Sequence, residues 1–184
     1  MPLIGAIGRM IETVANRAAG WIHRHSPDST ASQEVLTYAL SIYFNAFSIV
    51  SLSLLIGFFA GTFIETVVVI VAFSVLRAFS GGNHMRTPMM CLLVSVAAFT
   101  SIPHVPAPEP WLRDALLCVS LLLALLFAPN VRHDPIYGNK LLPYMKWIAV
   151  AIVGTNFLIA SWVVTLAFFI QCITLIPLQR RCMK

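Results

Sequence analysis

Charge is scarce in this sequence. Asp, Glu, Lys and Arg make up 10% of the 184 residues, against 59% hydrophobic residues. A soluble domain carries about 25% charged residues, and a mean hydropathy of +0.85 leaves no stretch for a separate water-soluble domain. The apolar runs are continuous rather than alternating with period two, which excludes a transmembrane β-barrel and leaves helices as the way to cross a bilayer. The four cysteines, Cys91, Cys118, Cys172 and Cys182, form no Cys-x-x-Cys pair and no framework in loops, so a disulfide scaffold is not expected. The formal net charge of +5 comes from basic residues at the ends of apolar segments. That placement anchors helices at a membrane and does not suggest nucleic-acid binding. The first 20 residues lack a compact apolar core, carry Arg9, Glu12 and Arg17, and precede no small-residue cleavage site, so they do not read as a signal peptide. No internal repeat stands out.

What is present is a succession of apolar helices. Leu3, Ile4, Ile7, Met10, Ile11, Val14, Ala18 and Trp21 recur at helical spacing, predicting an amphipathic helix at the membrane interface or packed on a bundle. Apolar runs follow over Val35–Phe59, Thr62–Phe79, from Pro88 to about Ile102, and over Trp111–Ala128. A stiff loop containing Pro103, Pro106, Pro108 and Pro110 separates the last two. The final run, Trp147–Leu178, would make a helix about 48 Å long against a hydrocarbon core of about 30 Å, so it is expected to fold back near Gly154-Thr155-Asn156. Six spans with a cytoplasmic N-terminus put every basic residue except Arg113 on the inside; five spans would strand Arg180, Arg181 and Lys184 outside. The expected fold is therefore an all-α integral membrane protein of six transmembrane helices preceded by an amphipathic helix, both termini cytoplasmic. It reads as one polytopic domain over residues 1–184: an N-terminal segment 1–34, a bundle 35–178 and a basic tail 179–184. Glu65, an acid near the start of the second apolar run, is expected to reach the headgroups from its helix end.

One segment departs from this pattern. In Arg77-Ala78-Phe79-Ser80-Gly81-Gly82-Asn83-His84-Met85-Arg86-Thr87-Pro88-Met89-Met90-Cys91, two glycines end a helix and a histidine precedes a cysteine by seven residues. On an unbroken helix His84 and Cys91 would be about 10 Å apart, too far for a hydrogen bond. Thr87-Pro88 reads as an N-cap with proline at the first helical position, which supplies the required bend. His84 then lies on a glycine-flanked loop and Cys91 in the first turn of the next helix. A helix N-terminus and a neighbouring imidazolium both favour the thiolate form of a cysteine, and Arg86 adds positive potential. This is a base on a loop facing a nucleophile at a helix start. Taken singly, such a cysteine is ordinarily apolar filler and such a histidine simply solvated.

The pattern Arg77-x3-Gly81-Gly82-x-His84-x6-Cys91 resembles the signature of the accessory gene regulator B (AgrB) family of bacterial quorum sensing. Ala128-Pro129 with Pro135, and Gln171-Cys172-Ile173-Thr174-Leu175-Ile176-Pro177, resemble two further stretches of that family. The resemblance implies a multi-pass cysteine endopeptidase of the bacterial cell membrane, its catalytic loop at the cytoplasmic face. It implies His84 as general base and Cys91 as nucleophile, cutting an AgrD-type precursor peptide near its C-terminal part. An internal cysteine or serine of the peptide would then take the acyl group from Cys91, closing a thiolactone or lactone. Gly81, Gly82, Asn83 and Arg86 are candidate oxyanion donors or positioning residues, assigned by proximity. The expected partners are the precursor peptide, the lipid bilayer and, open against a monomer, a second copy of the chain. No cofactor or metal is expected, and no nucleic acid.

Other histidines read more plainly. His23-Arg24-His25 is expected to be a solvated helix flank, and His104 to lie outside in the proline loop. His133-Asp134 is cytoplasmic and of undetermined placement. The alternative reading is a small transporter or exporter subunit for a peptide or ion. Such proteins concentrate unusual residues at the bilayer midplane, whereas here they gather at the cytoplasmic edge. A metal site at His84 and Cys91 would need further ligands that the spacing does not offer.

Overall fold

The computed structural model describes residues 2–25, 32–82, 87–130 and 142–176, which form seven α-helices and one short 3-10 turn, with no strand among the described residues. The helices are α1 (Pro2–His25), α2 (Gln33–Phe59), α3 (Phe63–Ser80), α4 (Pro88–Ser101), α5 (Pro110–Phe127), α6 (Leu142–Ile159) and α7 (Trp162–Ile173); the 3-10 turn is Ile102–His104. Helices α2, α3 and α5 are long and apolar enough to cross a membrane, and the apolar helices following Pro88, Tyr144 and Trp162 are shorter. At 12 residues α7 is about 18 Å long. The chain divides into two compact units, one of Met1–Ile56 with Met85–Ala98 and one of Gly57–His84 with Phe99–Lys184.

In the first unit, α1 and the start of α2 share hydrogen bonds: Asn16 Oδ1 accepts from Gln33 Nε2 at 3.2 Å and from Thr37 Oγ1 at 3.5 Å. Among the described side chains of α1, those after residue 12, Ala15 and Ala19 are buried, while Val14 and Trp21 are exposed. The packed face is thus offset by one residue from the expected apolar stripe, because small side chains let another backbone approach and large ones do not. At the end of α1, Arg24 Nε donates to Gly20 O at 3.0 Å, and His25 Nδ1 lies 2.9 Å from Trp21 O. The Arg24 guanidinium complements the helix C-terminus, and His23 and His25 are exposed beside it.

The second unit is a helical bundle. Its core is Leu76 of α3, Leu117 and Ala124 of α5, Ala149 and Val153 of α6, and Val164, Phe168 and Cys172 of α7, closed by Ala128 and Leu175. Alanines at the contacts allow close approach, and packing rather than water exclusion holds helices together in lipid. The buried hydroxyls of Thr66, Ser120 and Thr165 bond carbonyls one turn earlier: Thr66 Oγ1 donates to Thr62 O, Ser120 Oγ to Leu116 O and Thr165 Oγ1 to Ser161 O. Glu65 is exposed in the first turn of α3, where a carboxylate complements the positive helix N-terminus.

The hydrogen bonds fix the helix directions. Near the start of α5, Arg113 Nη1 donates to Ala160 O, just before α7, at 3.0 Å. Past the end of α5, Asn130 Nδ2 donates to Leu175 O, just after α7, at 3.1 Å. Gln171 near the end of α7 reaches Gly81 at the end of α3. Helices α3, α5 and α7 therefore run in one direction with their C-terminal ends together, and α6 returns between them. Exposed Trp111 marks the opposite end of the bundle from exposed Tyr144 and Trp147, the distribution that interfacial aromatic residues adopt.

The long final run does break, but not where its glycine suggested. Gly154, Thr155 and Asn156 lie inside α6, and the break falls at Ala160-Ser161. Ala160 takes a left-handed φ of 55°, and Ser161 caps α7, its side chain accepting from Val164 N. Asn156, only 1% exposed, ties the turn together. Its Nδ2 donates to Ser161 O at 3.0 Å and Thr165 Oγ1 at 2.7 Å, and its Oδ1 accepts from Ser161 N at 3.3 Å. A helix-interior glycine costs only about 1 kcal/mol, whereas a capped turn with a buried amide supplies several hydrogen bonds.

Candidate active site

Helix α4 begins as its sequence dictates. Thr87 Oγ1 accepts from Met90 N at 3.2 Å, the N-cap bond, and Pro88 occupies the first helical position. Cys91 N donates to Thr87 O at 3.2 Å, which places Cys91 in the first turn, half-buried and free of any disulfide. Cys172 is buried in the core and Cys118 is exposed. Asn83, His84 and Arg86 lie outside the described residues, as do His133, Asp134 and Cys182. His104 closes the 3-10 turn and is exposed.

The loop that leads to His84 starts in a buried polar cluster of the second unit. Gly81 has φ 71° and ψ −146°, and Gly82 has φ 146°, conformations that L side chains rarely adopt. A Cβ on Gly82 would also lie 2.9 Å from Thr174 Oγ1 and 3.1 Å from Arg77 Nη1. Both glycine amides are engaged. Gly81 N donates to Arg77 O at 2.9 Å, closing α3, and Gly82 N donates to Asn130 O at 3.4 Å, while Asn130 N returns a bond to Ser80 O at 2.9 Å. Gly81 and Gly82 thus use their protons to hold the loop start.

Gln171, fully buried, sits at the centre. Its Nε2 donates to Gly81 O at 2.7 Å and to Ser80 Oγ at 3.1 Å. Its Oε1 accepts from Thr174 Oγ1 at 3.2 Å and from Arg77 Nη1 at 3.5 Å. Arg77 sets a positive charge among three convergent helix C-termini, the partially negative ends of the helix dipoles. The structure therefore brings together Arg77, Gly81 and Gly82, the stretch Ala128-Pro129 through its neighbour Asn130, and the stretch from Gln171 to Leu175. Sequence reasoning did not single out Gln171, Thr174 or Asn130 as parts of one site. The available signal was Gln171 itself, an amide inside an otherwise apolar run.

The family model described as "Accessory gene regulator B" matches residues 15–179. Protein FsrB of Enterococcus faecalis (strain ATCC 47077 / OG1RF) is 29% identical over 108 residues, 56% of this chain. The matched stretch spans 45% of that protein, less than half its length. No solved structure matches the chain. A match over nearly the whole sequence establishes the family: the chain belongs to the accessory gene regulator B family.

Proposed function

We propose that the chain is a membrane-embedded cysteine endopeptidase of quorum sensing, which cleaves an AgrD-type precursor peptide near its C-terminal part and promotes its cyclisation. The carrying observation is Cys91 in the first turn of a helix capped by Thr87, seven residues after His84. The reaction follows from that chemistry. His84 takes the Cys91 thiol proton, the thiolate attacks the scissile carbonyl, and the carbon–nitrogen bond breaks as the leaving amine receives the proton. The peptide is left as a thioester on Cys91. An internal thiol or hydroxyl of the peptide attacks that carbonyl, closing a thiolactone or lactone and releasing Cys91.

In this reading Gly81 and Gly82 position the loop, and Asn83 and Arg86 are the oxyanion candidates. Helices α2 to α7 are the six spans of a single polytopic domain in the bacterial cell membrane, with both termini and the catalytic loop at the cytoplasmic face. The convergence of the α3, α5 and α7 C-terminal ends supports that topology, because Gly81 and Gly82, which precede His84 in sequence, lie beside them.

The test is cleavage of the cognate precursor by purified, reconstituted protein. Cys91→Ala and His84→Ala should each abolish cleavage while the protein stays in the membrane. Wild type should accumulate an acyl-enzyme labile to hydroxylamine, and Cys91→Ser should trap little or none. Cys118→Ala, Cys172→Ala and Cys182→Ala should retain cleavage. Cleavage of the precursor by Cys91→Ala would refute the cysteine-protease mechanism.

A further inference from the structure

We infer that Gln171 is a positioning residue for His84: it holds the start of the histidine loop through the Gly81 carbonyl. The inference rests on the reading of His84 as the base that activates Cys91.

A primary amide at a fully buried site is costly unless its hydrogen-bonding groups are paired, by about 1–3 kcal/mol for each orphaned group. A leucine or methionine would fill the same space without that cost. Gln171 is buried with both ends of its amide in use, so the position is occupied for its hydrogen bonds. The orientation is dictated by the partners. Gly81 O can only accept and the Arg77 guanidinium can only donate, so Nε2 must face the glycine and Oε1 the arginine. Reversing the amide would oppose two oxygens on one side and two donors on the other.

These bonds grip the last fixed point before the histidine. The Gly82 amide is held by Asn130 O, and its Cα is enclosed by Thr174, Arg77 and Gln171. His84 follows two residues later, within about 7 Å of chain. Releasing Gly81 and Gly82 would widen the positions open to the imidazole by several ångströms, enough to lose a base–thiol hydrogen bond of about 3 Å. Among the described residues, Arg77 is the charged group facing Gln171, and it stays in place when the amide alone is altered.

The test uses the full chain in liposomes, with Cys118, Cys172 and Cys182 replaced by alanine so that Cys91 is the one thiol. A positively charged methanethiosulfonate reagent is applied at pH 7 and at pH 9, and the ratio of the two labelling rates is read. Two substitutions guard against misfolding. Gln171→Met keeps length and packs in an apolar interior, while Gln171→Glu keeps shape and the oxygens facing Arg77 and Thr174 but loses the donor to Gly81 O. Asn156→Ala, which removes an equally buried amide at the far end of the bundle, controls for general loosening.

A thiol without an activating base is only a few per cent ionised at neutral pH, so both Gln171 variants should label about tenfold more slowly at pH 7. At pH 9 they should approach the parent rate. His84→Ala should behave in the same way, and Asn156→Ala should leave the ratio unchanged. If His84→Ala lowers the ratio but neither Gln171 variant does, the positioning role is wrong and the base assignment stands. If His84→Ala leaves the ratio unchanged, the base assignment fails and the inference fails with it. A fall in Asn156→Ala equal to that in Gln171→Met would overturn the positioning role as mere loss of stability.

Discussion

Replacing Gly82 with alanine should destabilise the chain by two separable effects. The first is conformational: at φ 146° an L residue is strained by about 1–3 kcal/mol. The second is steric, since the new methyl would stand 2.9 Å from Thr174 Oγ1 and 3.1 Å from Arg77 Nη1. Moving Thr174 aside weakens its hydrogen bonds to Gln171 O at 2.7 Å and Gln171 Oε1 at 3.2 Å, at about 1 kcal/mol. The sum is about 2–4 kcal/mol, which for a chain of this size lowers Tm by about 5–15 °C. Thermal unfolding of purified protein in detergent, followed by tryptophan fluorescence, measures it. Combining Gly82→Ala with Thr174→Ala largely separates the two parts, because removing Oγ1 removes the closest overlap and leaves the φ strain and the Arg77 contact. The double mutant should therefore show a favourable coupling of about 1 kcal/mol without returning to the stability of Thr174→Ala alone. A Gly82→Ala protein that melts within about 2 °C of wild type would refute the geometry assigned to the loop start. Complete rescue by Thr174→Ala would show that the positive φ carries no cost.

Asn156→Ala should lower stability by about 2–3 kcal/mol, since it leaves Ser161 N and the Thr165 hydroxyl without their amide partner. It should spare precursor cleavage, and a variant as stable as wild type by thermal unfolding would contradict the described turn. A reporter fused after Lys184 should be cytoplasmic, because the chain turns back at Ala160-Ser161, α7 ends beside Arg77, and the basic residues Arg180, Arg181 and Lys184 that follow in sequence favour the inner face. An extracellular signal from that reporter would require an odd number of spans.

Much of this protein was legible before folding is considered, because the relevant physics is local. Long apolar runs with few charges read as membrane-crossing helices, and the observed bounds of α2, α3 and α5 differ from those runs by at most a few residues. Thr87-Pro88 declares a helix start that the Met90 N to Thr87 Oγ1 bond realises. The His84 and Cys91 pattern is likewise a matter of neighbours in sequence.

The bundle decided what depends on packing between distant segments. The last run offered a glycine as its breaking point, yet the chain turns six residues beyond Gly154 because Asn156 can satisfy its amide only against Ser161 and Thr165. Gln171 gave itself away as polar in an apolar stretch, but not what it binds. Its partners Arg77, Ser80 and Gly81 lie 94, 91 and 90 positions earlier. Hydropathy and capping report on a residue and its few neighbours, so they locate helices. Which helix ends meet, and therefore which side chains hold the start of the histidine loop, is set by how α3, α5 and α7 pack side by side.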